Sequence, residues 1–418
     1  MPRRGLFTYE NALVVILGLT FGIVFFDRQA ASNLMPFIKP DLGMNDTQVG
    51  LIGSALSATW AISAYLVGLL SDRTGQRKSI LIACVVGFSL CSAVSGLATS
   101  FPILAFSRFL MGLLEGGVMP ICLAIMAVES GDRRRGLNAG IVQNGFSNLV
   151  GNSLGPIVLV AIASTMNWRD AFFLAAVPGL LCAMAIWLWV KEPPKAPLAA
   201  GETAPSHLSL WQMLKVRNVL ICSLVSIFMV AWLVTGFAFL PTFFVEHRHF
   251  TPKVASYIMG ALGFCAFLGG ALLPGVSDRI GRRPVMIVGC FAGIIAPLAA
   301  IYFEGPIWML AAAIFVGWVA NGIFPMFMGT IPGESLPRAS IATAMGIVVG
   351  VGEILGGVCG PIVAGWIADN TALKLEAPMF LMAGCAFIGG CLSLLLTETA
   401  PAKVGPAALG AVPAKLAA

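Results

Sequence analysis

The sequence predicts an all-α membrane protein of twelve transmembrane helices in two pseudo-symmetric six-helix bundles, and three observations carry that prediction. The 418 residues are 58% hydrophobic and only 11% charged, whereas a soluble domain carries about 25% charged residues. Apolar runs long enough to cross a bilayer, ~20 residues each, recur along the whole chain. The two halves also repeat one another at an offset of about 205 residues: Pro36 matches Pro241, Gly112 matches Gly317, Pro120 matches Pro325, and Glu129-Ser130 matches Glu334-Ser335. Parallel repeats of this kind are a transporter plan with the substrate at midplane between the halves.

The runs fall at about 11–36, 48–70, 79–98, 102–128, 137–163 and 171–190 in the first half, and at 218–245, 253–275, 285–303, 306–330, 339–368 and 377–397 in the second. The expected organisation is a bundle over 1–190, a Pro/Ala-rich cytoplasmic linker over 191–217, a second bundle over 218–398 and a disordered cytoplasmic tail over 399–418. The first run has no small-residue cleavage site behind it and reads as a span, not a signal peptide. With the N-terminus inside, most of the 25 lysines and arginines fall in inner segments, among them Arg73, Arg77, Lys78, Arg134, Arg135, Arg282 and Arg283. The positive-inside rule then puts both termini in the cytoplasm of a bacterial-type inner membrane. The ten cysteines lie in apolar runs and read as packing residues. No spacing suggests a metal or a cofactor, no nucleophile–base pair or phosphate loop suggests an enzyme, and the net charge of +6 follows from topology, not from nucleic acid.

Within the first run stand Asp27 and Arg28. A charge at membrane depth costs roughly 2.5–3.5 kcal/mol even on the lenient insertion scale, so such residues face a bundle interior or a wet cavity. The fourth run adds Arg108 and Glu115, seven apart and therefore on one helix face. Asp27 is expected to pair with Arg108, with Arg28 and Glu115 beside them; two acids and two bases leave the cluster neutral and lower its burial cost. The cluster is either a working site or a structural tie between helices. Glu353 lies near the middle of the eleventh run and is a candidate proton carrier or ligand contact. Gln143, Asn144 and Asn321, with Asn33, Asn148 and Asn152, are either ligand contacts or interhelical hydrogen bonds, and Gln143 and Asn144 rank first. Trp232, Phe237 and Trp318 are pocket walls or lipid-facing side chains, and His247 and His249 belong to an outer loop.

Gly68-Leu-Leu-Ser-Asp72-Arg73-Thr-Gly75-Gln-Arg77-Lys78 has a copy in Gly275-Val-Ser-Asp278-Arg279-Ile-Gly281-Arg282-Arg283. This pair resembles the loop 2–3 signature of the major facilitator superfamily, and the resemblance runs from span one to span twelve. Asp72, Arg73, Arg77, Asp278, Arg279 and Arg283, with Glu129 and Glu334 as partners, read as a latch on the cytoplasmic side; otherwise they are loop charges that obey only the topology rule. Gly151-x-x-x-Gly155-Pro156 and Gly356-x-x-x-Gly360-Pro361 are small-residue packing faces ending in proline, a pattern that in the superfamily is also associated with antiporters.

Asp-Arg in span one with Arg-x6-Glu in span four is similar to the anion:cation symporter branch, which carries organic and sugar acids with protons, and also to spinster-type lipid transporters. The first resemblance implies that Arg28 binds a substrate carboxylate, that Asp27 and Glu115 carry protons, and that Arg108 tunes them. Trp60 stands where that branch often has a hydroxyl or imidazole, which favours a less polar or aromatic ligand. The repeat counterpart of Arg28 falls in Ala231-Trp232-Leu233 and offers no second guanidinium, which favours a monocarboxylate. The expected function is a monomeric proton-coupled symporter importing an organic monocarboxylate by alternating access. The alternatives are proton-coupled export of a lysolipid or amphipathic drug, and a non-transporting membrane sensor.

Overall fold

In the computed structural model residues 8–131, 134–193, 210–336 and 340–404 are described, and the regular elements among them are helical. Twelve helices are long and apolar enough to cross a membrane: α1 (Tyr9–Leu42), α2 (Asp46–Ser71), α3 (Arg77–Gly96), α4 (Phe101–Glu129), α5 (Arg135–Thr165), α6 (Trp168–Trp189), α7 (Arg217–His247), α8 (Pro252–Ile280), α9 (Arg282–Tyr302), α10 (Ile307–Glu334), α11 (Thr343–Asn370) and α12 (Glu376–Ser393). Each coincides with one predicted apolar run, because a spanning helix must satisfy its backbone internally and so cannot be short or broken by polar sequence.

Local chemistry sets the ends. The Thr8 hydroxyl accepts from the Asn11 N–H at 3.3 Å to start α1, and Gly43, at φ 61°, takes the left-handed conformation that ends it. Asn45 and Gln48 then form a reciprocal capping box for α2, at 2.8 and 3.1 Å.

The chain forms two compact units. One is Met1–Ala196 with Phe237–Phe264; the other is Pro197–Gly236 with Cys265–Ala418. The adjoining ends of α7 and α8 thus pack with the first six helices, although sequence order puts them in the second half. Of the expected linker, 194–209 lies outside the described residues, and Leu210–Leu214 is a short helix. The expected tail starts inside the fold: Thr399 and Ala400 are buried and Pro401–Val404 is helical. Residues 405–418 lie outside the described residues.

In the first unit, Gly22 and Gly151 let α1 and α5 meet backbone to backbone. A Cβ on Gly151 would stand 3.0 Å from the Gly22 carbonyl oxygen, and one on Gly22 would stand 3.0 Å from that of Phe146. In the second unit Gly356 meets the Ile227 carbonyl and Gly360 meets Ala231 in the same way. The helices widen into π-geometry along these faces, at Ile141–Gly145 and Ser147–Leu154 in α5 and at Gly352–Val358 in α11. Such bulges recur at functional sites. The α4 helix is interrupted at Gly116-Gly117, directly after Glu115 and ahead of Pro120. Its repeat counterpart α10 tightens into a 3₁₀ turn over Val319–Ile323 ahead of Pro325. A proline lacks the N–H that its helix would use, so each break has a local cause.

Candidate functional site

The charged cluster forms inside the first unit, where α1, α3 and α4 meet. Asp27, Arg108 and Glu115 are fully buried, with exposures of 0%, 1% and 0%. Arg28, one residue on, turns a different way along the helix and is half-buried. Its guanidinium carbon lies 5.0 Å from the Trp60 ring and 5.8 Å from the Phe25 ring, and its Nη2 lies 3.5 Å from the Ser57 hydroxyl. Trp60 itself is buried, at 7% exposure. A guanidinium held between aromatic faces keeps its fork geometry for a carboxylate.

The expected Asp27–Arg108 contact forms by another route. Arg108 Nη1 donates to the backbone carbonyl of Asp27 at 3.2 Å, and Arg108 Nη2 donates to the Ser95 hydroxyl. The guanidinium also lies over the Phe172 ring, 5.0 Å from its centroid. The Asp27 carboxylate is held by Ser92, whose hydroxyl lies 2.6 Å from Oδ1 and 3.2 Å from the Phe172 carbonyl oxygen. Asp27 Oδ2, both Glu115 carboxyl oxygens and Arg108 Nε have no hydrogen-bond partner among the described residues. Ser95 and Ser107 hydroxyls lie 2.8 Å apart behind Arg108. Ser92 and Ser95 were missed in the sequence, where hydroxyls in an apolar run read as packing. The signal is the three-residue spacing of Ser89, Ser92 and Ser95, which puts all three on neighbouring turns of one face of α3.

The remaining candidates are dispersed. Gln143 is half-buried with its Nε2 3.5 Å from Met119 Sδ, and Asn144 is exposed. Asn152 donates to Asn148 Oδ1, and Asn148 donates to the Asn144 carbonyl, each at 3.0 Å, so these amides form a chain along α5. In the second unit, Asn321 is half-buried in the 3₁₀ turn of α10 and Glu353 is half-buried in the π-segment of α11. Trp232 is fully buried: its ring lies 4.6 Å from Trp318, and its indole N–H donates to the Gly293 carbonyl at 3.0 Å. This tryptophan is part of the packing inside the second unit.

At the ends that carry the loop motifs, Arg282 meets Glu334, at 2.8 and 3.2 Å, and Asp278, at 2.6 Å. Arg279 is exposed, and Arg283 reaches the Leu394 carbonyl at 2.8 Å. The base on Glu334 is therefore the arginine between those the repeat singled out. The Thr399 hydroxyl also donates to Glu334 at 2.7 Å. Glu398 accepts from the backbone N–H groups of Arg282 and Arg283 at 2.7 and 3.2 Å. Burial pushes the Glu398 carboxyl up, but these donors, with those of Ala400 and Thr399, hold it below the ordinary value of 4.5. In the first unit Glu192 accepts from the Lys78 N–H at 3.0 Å, so a carboxylate caps the start of both α3 and α9. Arg73 is exposed, Arg77 and Glu129 are half-buried, and the side chain of Asp72 lies outside the described residues.

The sequence pattern of the Major Facilitator Superfamily matches residues 17–354 and again 237–418. The chain belongs to the Major Facilitator Superfamily. It is a multi-pass membrane transporter and not an enzyme. It is 30% identical to a probable 4-methylmuconolactone transporter of Cupriavidus pinatubonensis, over 87% of this chain and 85% of that one. It is also 30% identical to a 3-(3-hydroxy-phenyl)propionate transporter of Escherichia coli, over 92% and 96%. A crystal structure of a D-xylose-proton symporter has the same fold, with a TM-score of 0.76 over 94% of this chain and 99% of that one at 18% identity.

Proposed function

We propose that this member of the superfamily is a proton-coupled symporter that imports an organic monocarboxylate by alternating access, in a bacterial inner membrane with both termini in the cytoplasm. The observation that carries the reading is the separation of roles within one cluster. Arg28 is half-buried and lies over the rings of Trp60 and Phe25, while Asp27 and Glu115 next to it are sealed, with three carboxyl oxygens unpartnered among the described residues. An anion meets the reachable guanidinium, which binds a carboxylate bidentately. A buried carboxyl oxygen without a hydrogen-bond partner is costly, which makes these two acids the candidates for proton exchange. Arg108 is the fixed cation beside the two acids, since Nη1 donates to the Asp27 carbonyl and Nη2 to Ser95.

Aromatic or sugar acids fit the aromatic setting of Arg28, and the named substrates of the two relatives above are ring compounds or aromatic acids. One guanidinium, with Ala231-Trp232-Leu233 in the repeat position, suits a single carboxylate. Gln143, Asn144 and Asn321 are the candidate contacts for the rest of the ligand, and Glu353 is the candidate acid of the second half.

The test is uptake of labelled 3-(3-hydroxyphenyl)propionate and of a hexuronate into proteoliposomes. An inward proton gradient should accelerate uptake of at least one of them, and Asp27→Asn should remove the acceleration. Gradient-independent uptake of both acids, or none of either, would sink the symport reading.

A further inference from the structure

The Ser92 hydroxyl occupies a position that the transport reading leaves unexplained. It sits on α3, at 0% exposure, between two acceptors: Asp27 Oδ1 at 2.6 Å and the Phe172 carbonyl oxygen of α6 at 3.2 Å. A hydroxyl has one proton to donate and two lone pairs to accept with, so it cannot donate to both oxygens at once. While Asp27 is a carboxylate, the hydroxyl donates to Oδ1, the closer and charged acceptor. Once Oδ1 carries a proton, that proton points at Ser92 Oγ, and the hydroxyl is free to turn and donate to the Phe172 carbonyl. Oδ1 and Oγ are hydrogen-bonded to each other in both states, and the carbonyl gains the hydroxyl proton only in the second. Changing from one to the other moves one proton onto Oδ1 and rotates one hydroxyl, and no heavy atom has to move.

We propose that Ser92 is the positioning residue of the proton site: a two-way hydroxyl that satisfies Asp27 whether or not it holds a proton, and that directs the proton to Oδ1. The proposal rests on the reading of Asp27 as a proton carrier. Its physical content is an asymmetry between the oxygens, because Oδ2 has no partner among the described residues while Oδ1 has one in either state. The charged and titratable groups facing Asp27 among the described residues are Arg108 and Glu115 of α4 and Cys91 of α3, while its neighbour Arg28 turns away towards Trp60. Of these, Arg108 engages the Asp27 backbone oxygen. Ser92 is therefore the side chain that holds the carboxyl itself.

The experiment needs no substrate. Infrared difference spectra, acid minus alkaline, are recorded on the full-length protein in lipid, and the protonated-carboxyl band that disappears in Asp27→Asn is assigned to Asp27. In Ser92→Ala that band should move to higher wavenumber, because its O–H loses its acceptor. Its titration midpoint should shift by about one pH unit, the size of a hydrogen bond to a charged group. Ser92→Gly should repeat both effects without adding a side chain, and Ser92→Thr, which keeps the hydroxyl, should restore both. A band and midpoint unmoved in Ser92→Ala and Ser92→Gly overturn the proposal, as does a Ser92→Thr protein that behaves like Ser92→Ala. If no band depends on Asp27, the proton-carrier reading itself falls, an outcome distinct from an unmoved band.

Discussion

Arg28 and Asp27 are neighbours in sequence with opposite physical situations, and the difference decides what each can do. A lysine in place of Arg28 would keep the charge but lose the planar fork and the aromatic stacking. Arg28→Lys should therefore raise the KM for a transported acid by about tenfold, some 1.4 kcal/mol, with a smaller change in maximal rate. Equal kinetics for Arg28→Lys and the native protein would remove the guanidinium as the anchor. Glu398 gives a second residue-level prediction, because its carboxyl lies below the ordinary value. A depressed carboxyl contributes stability above its unfolded value, near 4.5, and that contribution is lost as pH falls through the folded value. Glu398→Gln should therefore be less stable than the native protein at pH 7, by about 1 kcal/mol after allowing for exposure. The gap should close as pH falls through and below the ordinary carboxylate range, as read by thermal unfolding in detergent. These residues also mark where the sequence stopped being legible. Asp27, Arg28, Arg108 and Glu115 stood out because charge in an apolar run is expensive. Ser92 did not, since a serine hydroxyl is cheap to bury against its own helix and gives no such contrast. Arg282 was passed over for Arg279 and Arg283 because motif spacing does not report which side of the turn faces Glu334. That depends on Gly281, at φ 120°, which redirects the chain between α8 and α9.

At the scale of elements, the twelve spans were readable in full because length and apolarity are averaged over some twenty residues. Their irregularities were not. The π-segments of α5 and α11 arise where glycines let another helix's backbone come close, and the sequence shows the glycines without showing the partner. The two Gly-x-x-x-Gly-Pro faces fit the packing reading: Gly151 lies on α1 at Phe25 and Gly22, and Gly356 lies on α7 at Ile227 and Ala231. Gly151→Val should separate α1 from α5 and shift Asp27 and Arg28 with α1. The expected loss is about 1–3 kcal/mol of stability from overpacking, seen as a lower melting temperature. Proton-driven uptake should fall more than stability does, because the site is built on the displaced helix. An unchanged melting temperature would mean that the α1–α5 contact is looser than these distances imply.

At the scale of the molecule, the repeat predicts two like halves, yet they are put to unlike uses. The first unit holds the sealed acids and Arg108, whereas the second holds the Arg282–Glu334–Asp278 ion pairs and the packed Trp232–Trp318 pair. The first unit also takes in a segment of the second half, since Phe237–Phe264 packs with the first six helices. Sequence could not foresee this, because a boundary inside a continuous span leaves no polar mark. Contacts within the first unit hold the segment there, among them an ion pair and a close approach of glycine backbone. Lys39 bridges Asp46 and Glu246, each at 2.8 Å. The Gly263 backbone lies against that of Asn152, so closely that a Cβ would overlap the Asn152 carbonyl group. The ion pairs are partly exposed and contribute roughly 0–1 kcal/mol, so the close approach at Gly263 is the stronger constraint. Gly263→Val should therefore free the segment from α5, whereas Glu246→Gln should loosen it only slightly and mostly at low salt. Hydrogen exchange over 237–264 reads this directly: protection should drop by about an order of magnitude or more in Gly263→Val, as for a lost packing energy above 1.4 kcal/mol. If protection fell equally in Glu246→Gln, the lysine bridge, and not the glycine contact, would be what keeps this segment in the first unit.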